Sequence, residues 1–592
     1  MSTSVILAID TGSSSIRCTA FNLLNNVEPG TPPIQALGIY HSIPLPCIIP
    51  STGYIRIHEI LMTIDQCIDN VISSLRPSLS DYRIVAIGFS TFVMNLVGVD
   101  EMGEPVGETA TCSYACNRKD VVRECQELKQ NTSPEELQSL YQETGAPLHS
   151  AYALSQLLAF YNNDANRGIM STVHRWQTIS SICIHRWMGG GKIDVPISYS
   201  EASWTGMLDF RTCTWNRTIL DILNACPGIR CSGGIFGLLP ELADLDGTNT
   251  TETTTSLFCN GLSSCNKNGE ANPYWERWPE LRATSTHYDN EQMQQCRMFL
   301  GIGDGAAANC GSKCDAYSSS DGTRIAVTVG TSAAARVCLP LPIETSPSNK
   351  IVIPFGLFCY RIDKSQVLVG GALTDGGSAI EWARNLLNLK SGEDFEAALE
   401  EVSDQYYSIS SGLELDSPPS PPSRSSVGTV TMIPFLNGER STGFRGSASA
   451  CISGITRDTS ATDILHGCLQ GVTLRLRAVI GLIKDVHKNK TDDGGQTRLV
   501  VSGTALERNF LWRQMIADCT GFDVVVDGDS SGGTSRGVAM LITKSIHLAE
   551  RCEEALSIVS QCQPNPNTRL RWKIAAREQE NLITAVSKTW DM

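Results

Sequence analysis

One pattern, used twice, constrains this 592-residue chain more than anything else in it. Residues 5–9 (VILAI) form a short apolar run of buried-strand type; the turn formers Asp10 to Ser15 interrupt it, and a second apolar-rich run follows from Ile16 to Phe21. Arg324 to Val329 is again strand-like, Gly330-Thr331-Ser332 is again a glycine and hydroxyl turn, and Ala333 to Leu339 is again a strand. The same grammar opening both halves of the chain implies two lobes of related architecture meeting over a shared ligand. Strand-like runs at 84–89 (IVAIGF) and 95–99 (NLVGV) alternate with helix-period stretches such as 151–160 (AYALSQLLAF), which predicts a mixed α/β class. The clearest helix runs from Thr459 to Ile483, opened by a capping box of Ser460 and Asp463 and carrying one apolar stripe. Residues 246–256 and 417–426 are polar or Pro/Ser-rich and read as exposed loops.

Two or more domains are required, because one core rarely exceeds about 250 residues. Hydrophobic residues at 41% and charged residues at 18% describe an ordinary globular chain. A formal charge of −15 argues against a general nucleic-acid or acidic-membrane binder. The first residues have no basic start and no long apolar stretch, and no later run reaches the roughly 18 apolar residues of a membrane helix. The expectation is a cytoplasmic protein whose 22 cysteines are free thiols. The pairs Cys112/Cys116 and Cys310/Cys314 lack a second pair at zinc-finger spacing.

Four constellations carry chemistry. In Asp10-Thr11-Gly12-Ser13-Ser14-Ser15-Ile16-Arg17, glycine lets backbone amides approach phosphate, the hydroxyls donate, a carboxylate can hold hydrated magnesium and an arginine can pair with phosphate. The same residue types also make an ordinary hairpin turn. Gly330-Thr331-Ser332 supplies a second cluster of amide and hydroxyl donors. In Gly301-Ile302-Gly303-Asp304-Gly305-Ala306, Asp304 precedes an Ala-rich helix start; it serves equally as a general base toward a hydroxyl or as the cap of that helix. Val501-Ser502-Gly503-Thr504 leads from strand through glycine turn to the helical stretch Asn509 to Cys519, an arrangement shared by nucleotide sites and by ordinary helix-on-sheet packing.

Taken in order, these motifs resemble the FGGY family of carbohydrate kinases, within the superfamily of sugar kinases, heat-shock ATPases and actin. The resemblance runs from Ile6 to about Leu541 and includes VLVGGALTDGGSAIEWA (367–383), MIPFLNGERSTGFR (432–445) and VVSGTALERNFLWRQMIADCTG (500–521). It implies an α/β fold of two actin-like, ribonuclease H-like ATPase lobes flanking a deep cleft, at 1–315 on the sugar side and 316–592 on the nucleotide side. By the same resemblance the cosubstrate is ATP with Mg2+. Asp10 is the metal-linked carboxylate, Gly12, Ser13, Ser14 and Arg17 surround the transferring phosphate, and Asp304 is the catalytic base. Gly330, Thr331, Gly377, Gly503, Thr504 and Arg508 hold the nucleotide, with Thr504 in place of a usual second glycine.

On the substrate side the resemblance implies that residues 87–100 line the sugar site. Glycerol kinases carry Arg-Glu where this chain has Val93-Met94, which argues against glycerol; xylulose kinases show Met-His and gluconate-type kinases Trp-His there. Other segments lean toward the gluconate-type branch: TGAPLHSAYALSQLLAF (144–160), SEASWTGMLDFRTCTWN (200–216), Asp304-Gly305 and SSGGTSRGVAML (530–541). Cys116 replaces an Asp of that branch. The expected acceptor is a small-molecule sugar, ketose or sugar acid, gluconate-like first, touched by Val93, Met94, Cys116, Asp304 and Gly305. A xylulose- or ribulose-type kinase and a catalytically weak sugar sensor are the alternatives. Neither nucleic acid nor membrane is an expected partner, and a homodimer is compatible with the sequence.

Overall fold

The apolar run at 5–9 becomes a central strand because both of its faces are covered: Val5, Ile6, Leu7, Ala8 and Ile9 are fully buried. In the computed structural model, which describes all residues except 1–2, 25–32, 79–81, 115–117, 192–194, 232, 249–261, 266–268, 283–295, 317–321, 344–350, 390, 411–429, 489–496, 529–532, 548–553 and 591–592, this strand is β1 (Thr3–Thr11). It turns back as antiparallel β2 (Ser15–Leu23), followed by antiparallel β3 (Ile34–Pro44). Helix α1 (Ile57–Leu75) covers one face, and β4 (Tyr82–Thr91) returns parallel to β1. Much later α2 (Tyr199–Trp204) precedes β5 (Arg297–Gly303), which lies parallel to β4 and runs straight into α3 (Asp304–Gly311). The sheet order is β5-β4-β1-β2-β3.

The second sheet repeats the plan. β6 (Arg324–Val329) turns into antiparallel β7 (Ala333–Pro340); β8 (Phe358–Arg361) and β9 (Gln366–Leu373) extend that side. After α4 (Gly377–Leu386) and α5 (Ala461–Lys488), β10 (Arg498–Ser502) pairs parallel with β6. Then come α6 (Thr504–Arg508), α7 (Phe510–Thr520), parallel β11 (Asp523–Asp527), α8 (Gly533–His547) and antiparallel β12 (Ile558–Cys562). Within the order β8-β9-β7-β6-β10-β11-β12, the inner five strands β9-β7-β6-β10-β11 match β3-β2-β1-β4-β5 in order and direction. The predicted duplication is therefore a duplication of topology, and the fold is the mixed α/β, two-lobed actin-like one.

Helix α5 begins as expected: Asp463 N–H donates to Ser460 Oγ (3.1 Å), and Ser460 N–H donates to Asp463 Oδ2 (2.8 Å). It runs past Ile483 to Lys488, because Val486 continues the buried stripe. One core lies between the sheets. There Val538 to Ile542 of α8 join Ile6, Ala8 and Ala86 of the first sheet and Ala334 and Leu368 of the second. Burial of the larger of these, such as Ile6, Leu368 and Met540, contributes about 1.5–3 kcal/mol each. Helices α3 and α8 touch backbone to backbone: a Cβ on Gly311 would lie 1.6 Å from Gly533 O.

Among the described residues no helix is long and apolar enough to cross a membrane, and the described cysteines are free. The expected loop at 417–426 lies outside the described residues, as does the greater part of 246–256.

Candidate active site

Strands β1 and β5 flank β4, and at their C-terminal ends Asp10 pairs with Ser90 while Gly303 pairs with Thr91. This register brings Asp10 and Asp304 to the same rim of the first sheet. Burial pushes the Asp10 carboxyl up to about 6, and the charge of Asp304 pushes the same way; Arg17, paired opposite Asp10, and the Ser90 hydroxyl oppose them. Asp304 is likewise raised by burial, against the pull of Arg336, the Gly305 N–H and Arg440. Two carboxylates that resist ionisation together make an oxygen-donor site suited to a hard cation such as Mg2+.

Asp304 does not cap α3. The cap position is Gly303, with no side-chain bond, and among the described residues Asp304 Oδ1 accepts only from its neighbour Gly305 N–H (2.7 Å). Of the two roles open from residue types, capping is not the one its geometry serves. The strand end is braced from behind by α2: Glu201 accepts from Thr91 (3.0 Å), Thr178 (3.0 Å) and Ser180 (2.7 Å), and Gly303 N–H donates to Ser200 Oγ (3.2 Å). That closeness requires glycine, since a Cβ on Gly301 would lie 2.4 Å from Glu201 Oε1 and one on Gly303 2.1 Å from Trp204 Nε1.

The first turn is shaped by its backbone. Gly12 N–H donates to Ser15 O (3.0 Å), while Ser13 O and Ser14 O accept from Cys47 N–H (2.9 Å) and Leu45 N–H (3.0 Å). Arg17 Nε is buried with no acceptor among the described residues. In the second turn Gly377 N–H donates to Gly330 O (2.7 Å), and Gly376 and Ser378 N–H groups donate to Thr331 O (2.9 and 3.1 Å). Gly503 adopts φ +95°, and a Cβ there would lie 2.4 Å from Val329 O. Gly330, Thr331, Gly377 and Gly503 are thus brought together, with Thr504 and Arg508 at the two ends of α6, both exposed.

The substrate-side residues are less uniform. Val93 is half-buried and packs against both the inter-sheet core and the neighbouring cluster; Met94 is buried in that cluster at φ +63°. Cys116 lies outside the described residues.

Three residues that adjoin Asp304 or act on its charge were not singled out in sequence: Arg336, Trp204 and Arg440. Among the described residues, the indole N–H of Trp204 and Arg336 Nε are buried donors without acceptors. A single arginine inside the apolar strand AAARVCLP was the available signal, because an unpaired charge is seldom buried without purpose.

Residues 5–251 match the N-terminal domain, and residues 325–545 the C-terminal domain, of the FGGY family of carbohydrate kinases. A gluconokinase of Bacillus subtilis (strain 168) is 24% identical over 524 residues, 88% of this chain and 84% of the relative. A glycerol kinase of Pseudomonas entomophila (strain L48) is 22% identical, over 87% of this chain and 83% of its own length. In fold, the chain resembles a gluconate kinase from Lactobacillus acidophilus (TM-score 0.72, 19% identity, 100% of this chain and 99% of that one). A xylulose kinase from the same organism gives TM-score 0.71 at 19% identity, with 99% of each chain covered. The chain belongs to the FGGY family of carbohydrate kinases, and it is a phosphotransferase.

Proposed function

We propose that this kinase transfers the terminal phosphoryl group of ATP to a hydroxyl of a gluconate-like sugar acid, with Asp304 as general base. The observation that carries the reading is Asp304 itself: a half-buried carboxylate with no capping duty, its affinity for protons raised, at the rim it shares with Asp10. In the reaction the acceptor oxygen bonds to the γ-phosphorus, the bond to the β,γ-bridging oxygen breaks, and the hydroxyl proton passes to Asp304. A base of raised pKa is better matched to that task near neutral pH. Arg17 then stabilises charge on the transferring group, since phosphoryl transfer depends mainly on positioning and electrostatics.

Asp10 would hold the magnesium ion. When bound, the ion would offset phosphate charge, and the coupled carboxylates fit it. Gly12, Ser13 and Ser14 line the phosphate path; Gly330, Thr331, Gly377, Gly503, Thr504 and Arg508 form the nucleotide side. Val93, Met94, Cys116 and Gly305 contribute to the sugar side. We take the lobes as 1–315 and 316–592, with α8 crossing back onto the first sheet, in a cytoplasmic protein for which a homodimer is compatible.

The gluconate preference draws its support from the gluconokinase relatives and from the cationic surroundings of Asp304. Purified protein offered sugars, ketoses, polyols and sugar acids with coupled ADP detection tests it. The expected result is acceptor-dependent ADP release with the highest kcat/KM on a sugar acid. No release with any acceptor, or highest efficiency on glycerol, contradicts it.

A further inference from the structure

Within β7, successive side chains face opposite sides of the sheet: Ala333, Ala335 and Val337 enter the core of the second lobe, Ala334 and Cys338 the inter-sheet core. Arg336 takes the second face, toward the first sheet. Its Nε lies 3.4 Å from where a Cβ on Gly305 would stand, so the guanidinium rests against the residue next to Asp304. That Nε is buried without an acceptor, and the side chain forms no hydrogen bond or ion pair among the described residues.

Arg440 comes from a loop tied to β9, the neighbour of β7. Ser441 N–H donates to Ala372 O (3.0 Å), and Ala372 N–H donates back to Ser441 Oγ (3.1 Å). The adjacent Glu439 cannot neutralise Arg440, since Arg445 (2.6 Å) and Arg475 (3.4 Å) already occupy it. Arg440 is exposed, yet its charge acts on Asp304, on Arg336 and on His149, Tyr152 and Tyr360. The tie to Ala372, which pairs with Ala334 two positions before Arg336, brings the Arg440 loop to the part of the sheet that carries Arg336, and the charge of this second cation, Arg440, disfavours that of the first. Such a pair is relieved by an anion placed between them, and a carboxylate suits two guanidinium forks.

We propose that Arg336 and Arg440 form the subsite that binds the acceptor's carboxylate and makes this kinase selective for sugar acids over neutral polyols. The proposal rests on the reading of the chain as a sugar-acid kinase. ATP phosphate is the weaker candidate for the same anion, because the cation opposite Asp10 on the phosphate turn is Arg17, whereas Arg336 and Arg440 act on Asp304.

The test measures kcat/KM for gluconate and for glucitol, its uncharged counterpart in length, at saturating ATP, in wild type, Arg440→Met, Arg440→Lys and Arg336→Met. The gluconate-to-glucitol ratio should fall about 10- to 100-fold in the methionine variants, chiefly through the KM for gluconate, as expected for loss of a charged hydrogen bond. Arg440→Lys should recover part of the ratio. Because Arg440 is exposed, its variants remain informative if Arg336→Met fails to fold. Should wild type prefer glucitol, the sugar-acid reading falls and this subsite with it. Should wild type prefer gluconate while Arg440→Met keeps the ratio, or raises the KM for ATP equally with both acceptors, only the subsite is overturned.

Discussion

In the first sheet the β1–β2 pair places Asp10 opposite Arg17, one step below the turn; in the second sheet the corresponding step of β6–β7 places Thr328 opposite Ala334. The backbone plan is the same and the chemistry differs. The first turn concentrates a half-buried carboxylate, its arginine and, two strands away, Asp304. At the second, neutral groups remain, and the chain comes together through glycines whose Cβ positions are filled by carbonyl oxygens of Gly330 and Val329. A repeated frame therefore differs in chemistry at its two turns, charge gathering at one and close backbone packing at the other; under the proposed function this divides phosphoryl chemistry from nucleotide binding.

The largest effect expected from breaking this division is at Asp304. Asp304→Asn should lower turnover by about two to four orders of magnitude, the range for a positioned base, with ATP affinity nearly intact. Steady-state ADP release beside calorimetric ATP binding checks this; near-normal turnover would reduce Asp304 to a structural residue.

Asp10 should show the opposite behaviour in stability and activity. Its carboxyl ionises near 3.8 when unfolded and about 6 when folded, so between these values the unfolded chain gives up a proton that the folded chain keeps. Rising pH thus costs stability across that window, by about 3 kcal/mol once above 6, and the cost is absent below 3.8. Asp10→Asn should be inactive yet more stable than wild type at pH 8 in denaturant titrations without nucleotide or Mg2+. A wild type that is the more stable protein at pH 8 would show that Asp10 is not strained by burial.

Gly503→Ala should destabilise by about 1–3 kcal/mol, because φ +95° and the 2.4 Å approach to Val329 O both resist a Cβ. The nucleotide should also bind more weakly, which calorimetry with ATP detects. Smallest is Ser460→Ala, which removes the capping box of α5 and should cost about 1 kcal/mol in thermal unfolding with unchanged kinetics.

Local signals in the sequence reached far into this fold. The strand–turn–strand pairs, the Ser460 cap and the strand leading into Asp304 are where pattern and turn chemistry put them, since each depends on neighbouring residues. What could not be read depends on contacts between distant segments. Glu201 supports Thr91 across 110 positions, and α8 leaves its own half to pack on the first sheet. Arg336 and Arg440 escaped for the same reason: an arginine in an apolar strand or in a loop is visible, but the carboxylate its charge acts on stands at the end of the first sheet, distant in sequence.

The division of labour is tested most directly by measuring two quantities on two variants side by side: the ATP dissociation constant and the single-turnover rate at saturating ATP, for Asp304→Asn and Gly503→Ala. The account predicts a crossover, with Asp304→Asn binding ATP normally but turning over at least a hundredfold more slowly, and Gly503→Ala binding ATP more weakly but turning over near the wild-type rate once saturated. Loss of the same quantity in both variants would contradict it.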